Sequence, residues 1–178
     1  MAMLVPAGIT LREQLNRRFP KRDKKSDGWI GDPAHQARGK ASDHNPDAHG
    51  WVHAIDIDED FGAPGDKEAF LEQLIDYARS GKPGADRIKY VMNDDRIASG
   101  THRVTWWKWR PSNERNHRGH IHISFTDAAQ DDGSPFPLPI LQVPDKDEPA
   151  KPAKKAPAKK APAKKAPVKK VAKKAVPK

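Results

Sequence analysis

Apolar and polar residues alternate along Ile121-His122-Ile123-Ser124-Phe125 and again along Val52-His53-Ala54-Ile55-Asp56-Ile57. A period of two is that of a strand with one face buried, so both segments are expected in a sheet, with the isoleucines facing a core. Two further strands are expected at Ile88 to Met92 and Val104 to Trp109. Helical spacing appears twice. Thr10-Leu11-Arg12-Glu13 reads as a capping box opening a helix that runs to Phe19 and stops at Pro20. Asp66 reads as the cap of a helix over Lys67 to Ser80, with Phe70, Leu71, Leu74, Ile75 and Ala78 on one face and Gly81 and Pro83 beyond its end. These elements predict an α+β domain of about 125 residues, a small antiparallel sheet flanked by helices, large enough for one core.

The pattern ends before the chain does. Residues 151–178 contain twelve lysines and no acid, built on Ala-Lys-Lys-Ala-Pro repeats, which leaves 21 Lys plus Arg against 24 Asp plus Glu in residues 1–150. Recurrent proline breaks helix and nothing in the repeat can be buried, so residues 151–178 are expected to be a disordered basic tail. Residues 127–150, rich in Asp, Pro and Gln, read as a linker, and the folded domain as 1–126. The chain has no cysteine, which excludes disulfides, thiolate metal sites and a cysteine nucleophile. Met1 to Ile9 lacks the basic start of a signal peptide and no apolar run approaches a membrane span, so synthesis in the cytoplasm is expected, with no membrane span.

The chemistry lies on the polar face of the expected strands. His120, His122 and Ser124 share the face opposite Ile121 and Ile123, and His117 sits in the turn before them. Ordinary packing has no need for such a group of imidazoles, whereas a metal site does. A catalytic zinc takes three protein ligands and leaves a position for water, so two histidines and a carboxylate suffice. Asp56 points away from the core on its own alternating segment and is the first carboxylate candidate, with Asp58 in reserve. His44 lies in the turn-rich Ser42-Asp43-His44-Asn45-Pro46, where the proline biases Asn45 away from helix and displays the imidazole from a loop. The expected zinc ligands are therefore His44, Asp56 and His122, while His35, His49, His53 and His102 are read as solvated or structurally hydrogen-bonded side chains.

Taken together, Ser42-x-His44, Gly50, Ala54-x-Asp56 and His120-x-His122 resemble the signature of the D-alanyl-D-alanine carboxypeptidase-like zinc peptidases. Arg12 to Asp23, Ser26 to Asp32, Lys89-Tyr90-Val91, Arg96-Ile97 and Trp109-Arg110-Pro111 extend the likeness over residues 10–126, in the manner of the peptidase domains of actinobacterial phage endolysins. The resemblance implies the same three ligands, with His120 as general base and His117 in the active site. It also places a substrate-facing cation near Arg38. Asp56 stands further from His44 than the family pattern has it, across the Pro46 to Trp51 turn, so a shift of register would put Asp58 in its place.

The activity so implied is hydrolysis of a peptide bond in peptidoglycan stem peptides by a monomeric phage lysis protein acting on the cell wall. Ser42 is expected to bind a site residue or substrate, and Trp107 and Trp109, on one face of their strand with Trp106 on the other, to line a groove. The tail would reach anionic cell-envelope polymers, since each lysine near an anionic surface adds about 1 kcal/mol that salt removes. Two other readings stay open. One is a protein whose histone-like tail binds nucleic acid without sequence preference; the other is a His/Asn metal nuclease using His44, Asn45, His120 and His122.

Overall fold

The computed structural model of the chain describes residues 1–101, 104–114 and 117–143. The basic tail and the end of the expected linker lie outside the described residues. The elements run, in order, β1 (Met3–Leu4), α1 (Pro6–Arg18), α2 (Pro33–Ala37), β2 (Trp51–Val52), β3 (Ala54–Asp58), α3 (Asp66–Ala78), β4 (Ile88–Asn93), β5 (Arg96–Ser99), β6 (Arg110–Pro111), β7 (His120–Phe125) and α4 (Ala128–Asp131). Strands β3, β7, β4, β5 and β6 lie side by side in that order, every neighbouring pair antiparallel, and β1 and β2 form a separate parallel pair. This is the mixed fold with a small antiparallel sheet that the alternation predicted.

The register sorts the sheet into two faces. In the β3–β7 pair Ala54 lies opposite Ser124, Ile55 opposite Ile123, Asp56 opposite His122, Ile57 opposite Ile121 and Asp58 opposite His120. Directly opposed residues point the same way, so the four isoleucines share one face and the acids and histidines the other. The apolar face packs with Leu11 and Leu15 of α1, Phe70, Leu74 and Ile75 of α3, and Val91 of β4, all within one buried cluster. The polar face is left for chemistry.

Several elements begin or end where the sequence reading did not put them. Helix α1 starts at Pro6, whose fixed φ suits the first helical position, and Thr10 inside it donates its hydroxyl to the Gly133 carbonyl at 2.8 Å in place of capping. Helix α3 is preceded by Gly65 in the left-handed conformation, with Asp66 already helical. The expected strand over Val52 to Ile57 is cut at His53, since β2 pairs with β1 and β3 with β7.

The expected strand at Val104 to Trp109 is absent. Val104 to Trp107 form a turn, Trp107 takes a φ of 50°, and its indole is buried in the core. The pairing partner of β4 is Arg96–Ser99, joined to it by Asp94 and Asp95 at φ 51° and 58°. Two residues of positive φ are the geometry of a tight hairpin whose twist matches its strands. Asp-Asp is a weaker signal for it than Asn-Gly, and three tryptophans mimicked a strand more strongly than Arg96-Ile97-Ala98-Ser99 did.

The expected linker also needs correction up to residue 143. Helix α4 and the turn Pro139–Leu141 belong to the folded unit, with Ala129, Phe136, Leu138 and Leu141 buried. Gln14 of α1 brackets Phe136, donating to its carbonyl at 3.0 Å and accepting from its N–H at 2.8 Å. The fully buried Arg87 guanidinium lies 4.2 Å from the Phe136 ring centre and donates to the carbonyls of Asp132 and Ser134. Phe136→Ala should therefore destabilise the domain by about 3–5 kcal/mol in chemical denaturation, as for other buried aromatics. A true linker residue would change it by less than about 0.5 kcal/mol.

Candidate metal centre

Three elements deliver three donors to one point. Strand β7 brings His122 and strand β3 brings Asp56 directly opposite it. The loop after the turn Gly39–Ala41 brings His44, held by the Gly31 N–H, which donates to its carbonyl at 3.0 Å. Gly31 is required there, because a Cβ would come within 2.7 Å of the His35 Cβ and 2.9 Å of the Asn45 side-chain oxygen. The segment carrying Gly31 is itself fixed at the free edge of β3, where Gly28 and Asp56 exchange backbone hydrogen bonds of 3.1 and 2.7 Å.

His44 Nε2 lies 3.1 Å from His122 Nδ1 and 3.3 Å from Asp56 Oδ2, and His122 Nδ1 lies 3.1 Å from Asp56 Oδ1. Four ligands at about 2.0–2.1 Å around a tetrahedral zinc are separated by about 3.3–3.4 Å along each edge. The closest contacts among the three residues are of that length, with the two imidazoles reaching different oxygens of Asp56. These three residues form a buried group able to hold a metal ion.

The second nitrogen of each imidazole supports the same reading. His44 Nδ1 is 3.1 Å from the Trp29 carbonyl, which can only accept, so the proton sits on Nδ1 and Nε2 is the free donor to a cation. His122 Nε2 is 2.9 Å from the Ser124 hydroxyl. The nearby Asp43 carboxyl takes the Lys89 ammonium at 2.8 Å. Where the Ser124 oxygen accepts from Nε2, His122 Nδ1 is left bare. Outer partners of this kind set the tautomer and orientation of metal-binding histidines. Tyr90 stacks on His122 at a centroid distance of 5.4 Å and limits its rotation.

The charges respond to this crowding. Burial would raise the Asp56 carboxyl, but hydrogen bonds to His122 and His44 outweigh it and hold the acid well below the usual range. For His44 the same contact with Asp56 overcomes burial and raises its pKa, while burial dominates at His122 and lowers it. One imidazole proton thus answers the carboxylate where a divalent cation would satisfy all three groups and release that proton.

His120 and His117 stand beside the triad and not within it. His120 Nε2 is 3.7 Å from Asp56 Oδ1, beyond hydrogen-bond reach, and its side chain is partly open to solvent. The His117 ring lies 5.1 Å from His122 and 5.3 Å from His120 between centroids. Burial, helped by the two neighbouring imidazoles, lowers its pKa to about 4. Its buried Nδ1 has no hydrogen-bond partner among the described residues, an orphan aimed at no protein group.

Other expected site residues are distributed unevenly. Arg38 and Ser42 line a small cavity with His44, His117 and His122, but the Arg38 guanidinium is already paired with Glu114 at 2.7 Å. Trp107 is in the core and Trp109 packs against it beneath Arg96, so neither reaches the metal group. Asp58 is turned away, accepting from the N–H groups of Ser26 and Asp60 at 3.0 Å each. Trp29, Asp43, Lys89 and Tyr90 complete the surroundings without having been assigned a role. Ser124 was legible on the histidine face, whereas contacts from Trp29 and Asp43 come from loops that no period describes. Comparison with known protein families, curated proteins and solved structures finds no match to this chain.

Proposed function

We propose that the protein is a zinc-dependent peptidase of cell-wall stem peptides. The observation that carries the metal half of this reading is the convergence of His44 Nε2, His122 Nδ1 and the two Asp56 oxygens, with closest contacts of 3.1–3.3 Å and each imidazole's other nitrogen already engaged. The hydrolytic half rests on two more imidazoles, His117 and His120, beside the triad, together with the family likeness of the motif. Zinc bound there would supply Lewis-acid polarisation of a carbonyl and acidify a water at its open position.

The chain's own groups then divide the work. His120, near Asp56 and partly open, would take a proton and return it to the leaving amine. His117, neutral near pH 7, can turn its unpartnered Nδ1 toward the reacting oxygen or orient His120. Ser124 and the Trp29 carbonyl hold the ligand rings in their tautomers. Two histidines and one carboxylate also suit iron(II). Elemental analysis of the purified chain decides between them, and mass spectrometry of muropeptides after digestion tests the activity and names the bond. Intact muropeptides after incubation with the zinc-loaded protein would overturn the reading.

The basic tail enters this proposal only as a targeting device. A truncation after Val143 keeps every buried residue of the folded unit, so it should cleave a small soluble muropeptide at an unchanged rate. On intact walls it should be slower at low salt. Several hundred millimolar salt should erase the difference, because the Debye length falls to about 3–5 Å. Equal rates on walls at low salt would leave nucleic-acid binding as the better account of twelve lysines.

A further inference from the structure

The roomier opening beside the metal group is on the α1 side. A cleft of about 440 Å³ is lined by Arg12, Asp27, Gly28, Trp29, Ile30, Ile55 and Asp56. Its two acids are committed. Asp56 belongs to the metal triad, and Asp27 is paired with Arg22 through both oxygens while accepting the Asp58 N–H at 2.9 Å. Arg12 is different. It is half-buried on α1 next to the core residue Leu11, and no described residue gives its guanidinium a hydrogen bond or an ion pair. Beside it Trp29 is half-buried and Ile30 is 58% exposed, an apolar wall at the mouth of the cleft.

A guanidinium without a partner among the described residues, in a cleft that already excludes part of the solvent, is suited to a carboxylate, which it can hold by two parallel charge-assisted hydrogen bonds. With zinc offsetting Asp56, the uncommitted charge of the cleft is positive. We infer that Arg12 binds a free carboxylate of the substrate peptide, whose small apolar side groups lie on Trp29 and Ile30 while the scissile bond reaches the metal group across Asp56. Arg12 is thereby a specificity-determining residue. The inference rests on the wall-peptidase reading for the identity of the peptide, whose candidate carboxylates are those of D-Glu, meso-diaminopimelate and terminal D-Ala.

The test uses the full-length chain and soluble stem peptides, each carboxylate replaced in turn by its amide. Binding is measured in chelator by titration calorimetry and by amide NMR shifts at Gly28, Trp29 and Ile30; cleavage is measured separately with zinc. One amidated peptide should bind about tenfold to a hundredfold more weakly than its acid, Arg12→Ala should lose the same factor, and the variant should no longer distinguish acid from amide. Arg12→Lys should recover part of the loss, and an unchanged circular dichroism spectrum shows that the variants fold. Equal binding of acid and all amides by the wild type, or unaltered binding by Arg12→Ala, overturns the inference even if wall peptides are cleaved. Arg12-dependent binding without cleavage overturns the peptidase reading and keeps the carboxylate site, while neither binding nor cleavage of any stem peptide overturns both.

Discussion

His44→Ala, Asp56→Ala and His122→Ala are each expected to lose the metal and all wall lysis, while Asp58→Ala keeps both. The full-length chain should bind close to one zinc, and each of the three substitutions removes one member of a group whose closest contacts are 3.1–3.3 Å. Two remaining ligands cannot hold an ion in a site that normally takes three. Asp58 is the informative control, because it lies two residues from Asp56 on the same strand and was the alternative on sequence grounds. Its carboxylate instead ties the Ser26 and Asp60 N–H groups into the domain. Removing it takes a partner from the N–H groups of two exposed residues, which water can replace, so the cost to stability should stay below about 1–3 kcal/mol each, without touching the metal. Elemental analysis and circular dichroism on the four variants separate these outcomes. Metal loss in Asp58→Ala with retention in Asp56→Ala would sink the assignment, and a wild-type chain without stoichiometric metal would sink the site.

The period of two along β3 and β7 predicted which residues face the core and which face the chemistry, and the register places Asp56 opposite His122. That is why two of the three members of the group able to hold a metal could be read from alternation alone. His44 could not be placed that way, since loop geometry depends on Gly31 and Asn45 closing onto the same turn, a contact between segments with no shared periodicity. The same limit explains the error at Val104 to Trp109. Aromatic residues carry strand propensity, but burial of Trp107 in the core decided its backbone, at positive φ. Residues 127–143 were misread for the opposite reason. Their polar composition hides Phe136, Leu138 and Leu141, spaced too irregularly to form a helical or strand face yet all buried.

The environment of His122 bears on how far the site can be simplified. Its ring is constrained on three sides: by Ser124 at Nε2, by Asp56 at Nδ1 and by Tyr90 against its face. Burial raises the Tyr90 phenol, and the nearby Asp43 carboxylate adds to it, so this tyrosine stays protonated and supplies packing without charge. Asp43 is kept ionised by Lys89 and Ser124 against the penalty of burial. The His122 ring therefore sits in a frame held by neighbours other than a metal. Such a frame would keep the ring in place for an ion.

His120→Ala is the variant that separates the metal from the proton transfer. Its Nε2 is 3.7 Å from Asp56 Oδ1 and it is not a member of the His44, Asp56 and His122 group, so zinc content should remain close to that of the wild type. If His120 moves the proton, hydrolysis of a soluble muropeptide should fall by about 10²–10⁴, the span that general acid–base help contributes. The loss should appear in kcat, with KM little changed, because the imidazole acts on the reacting atoms and not on the cleft near Arg12. His117→Ala provides the comparison. That ring is buried and neutral near pH 7, so it can orient or donate but cannot serve as the main proton store, and its removal should cost less than that of His120. A larger loss in His117→Ala with full metal content would exchange the two roles. Loss of zinc in His120→Ala would make it a fourth ligand and leave the site closed, as structural zinc sites are.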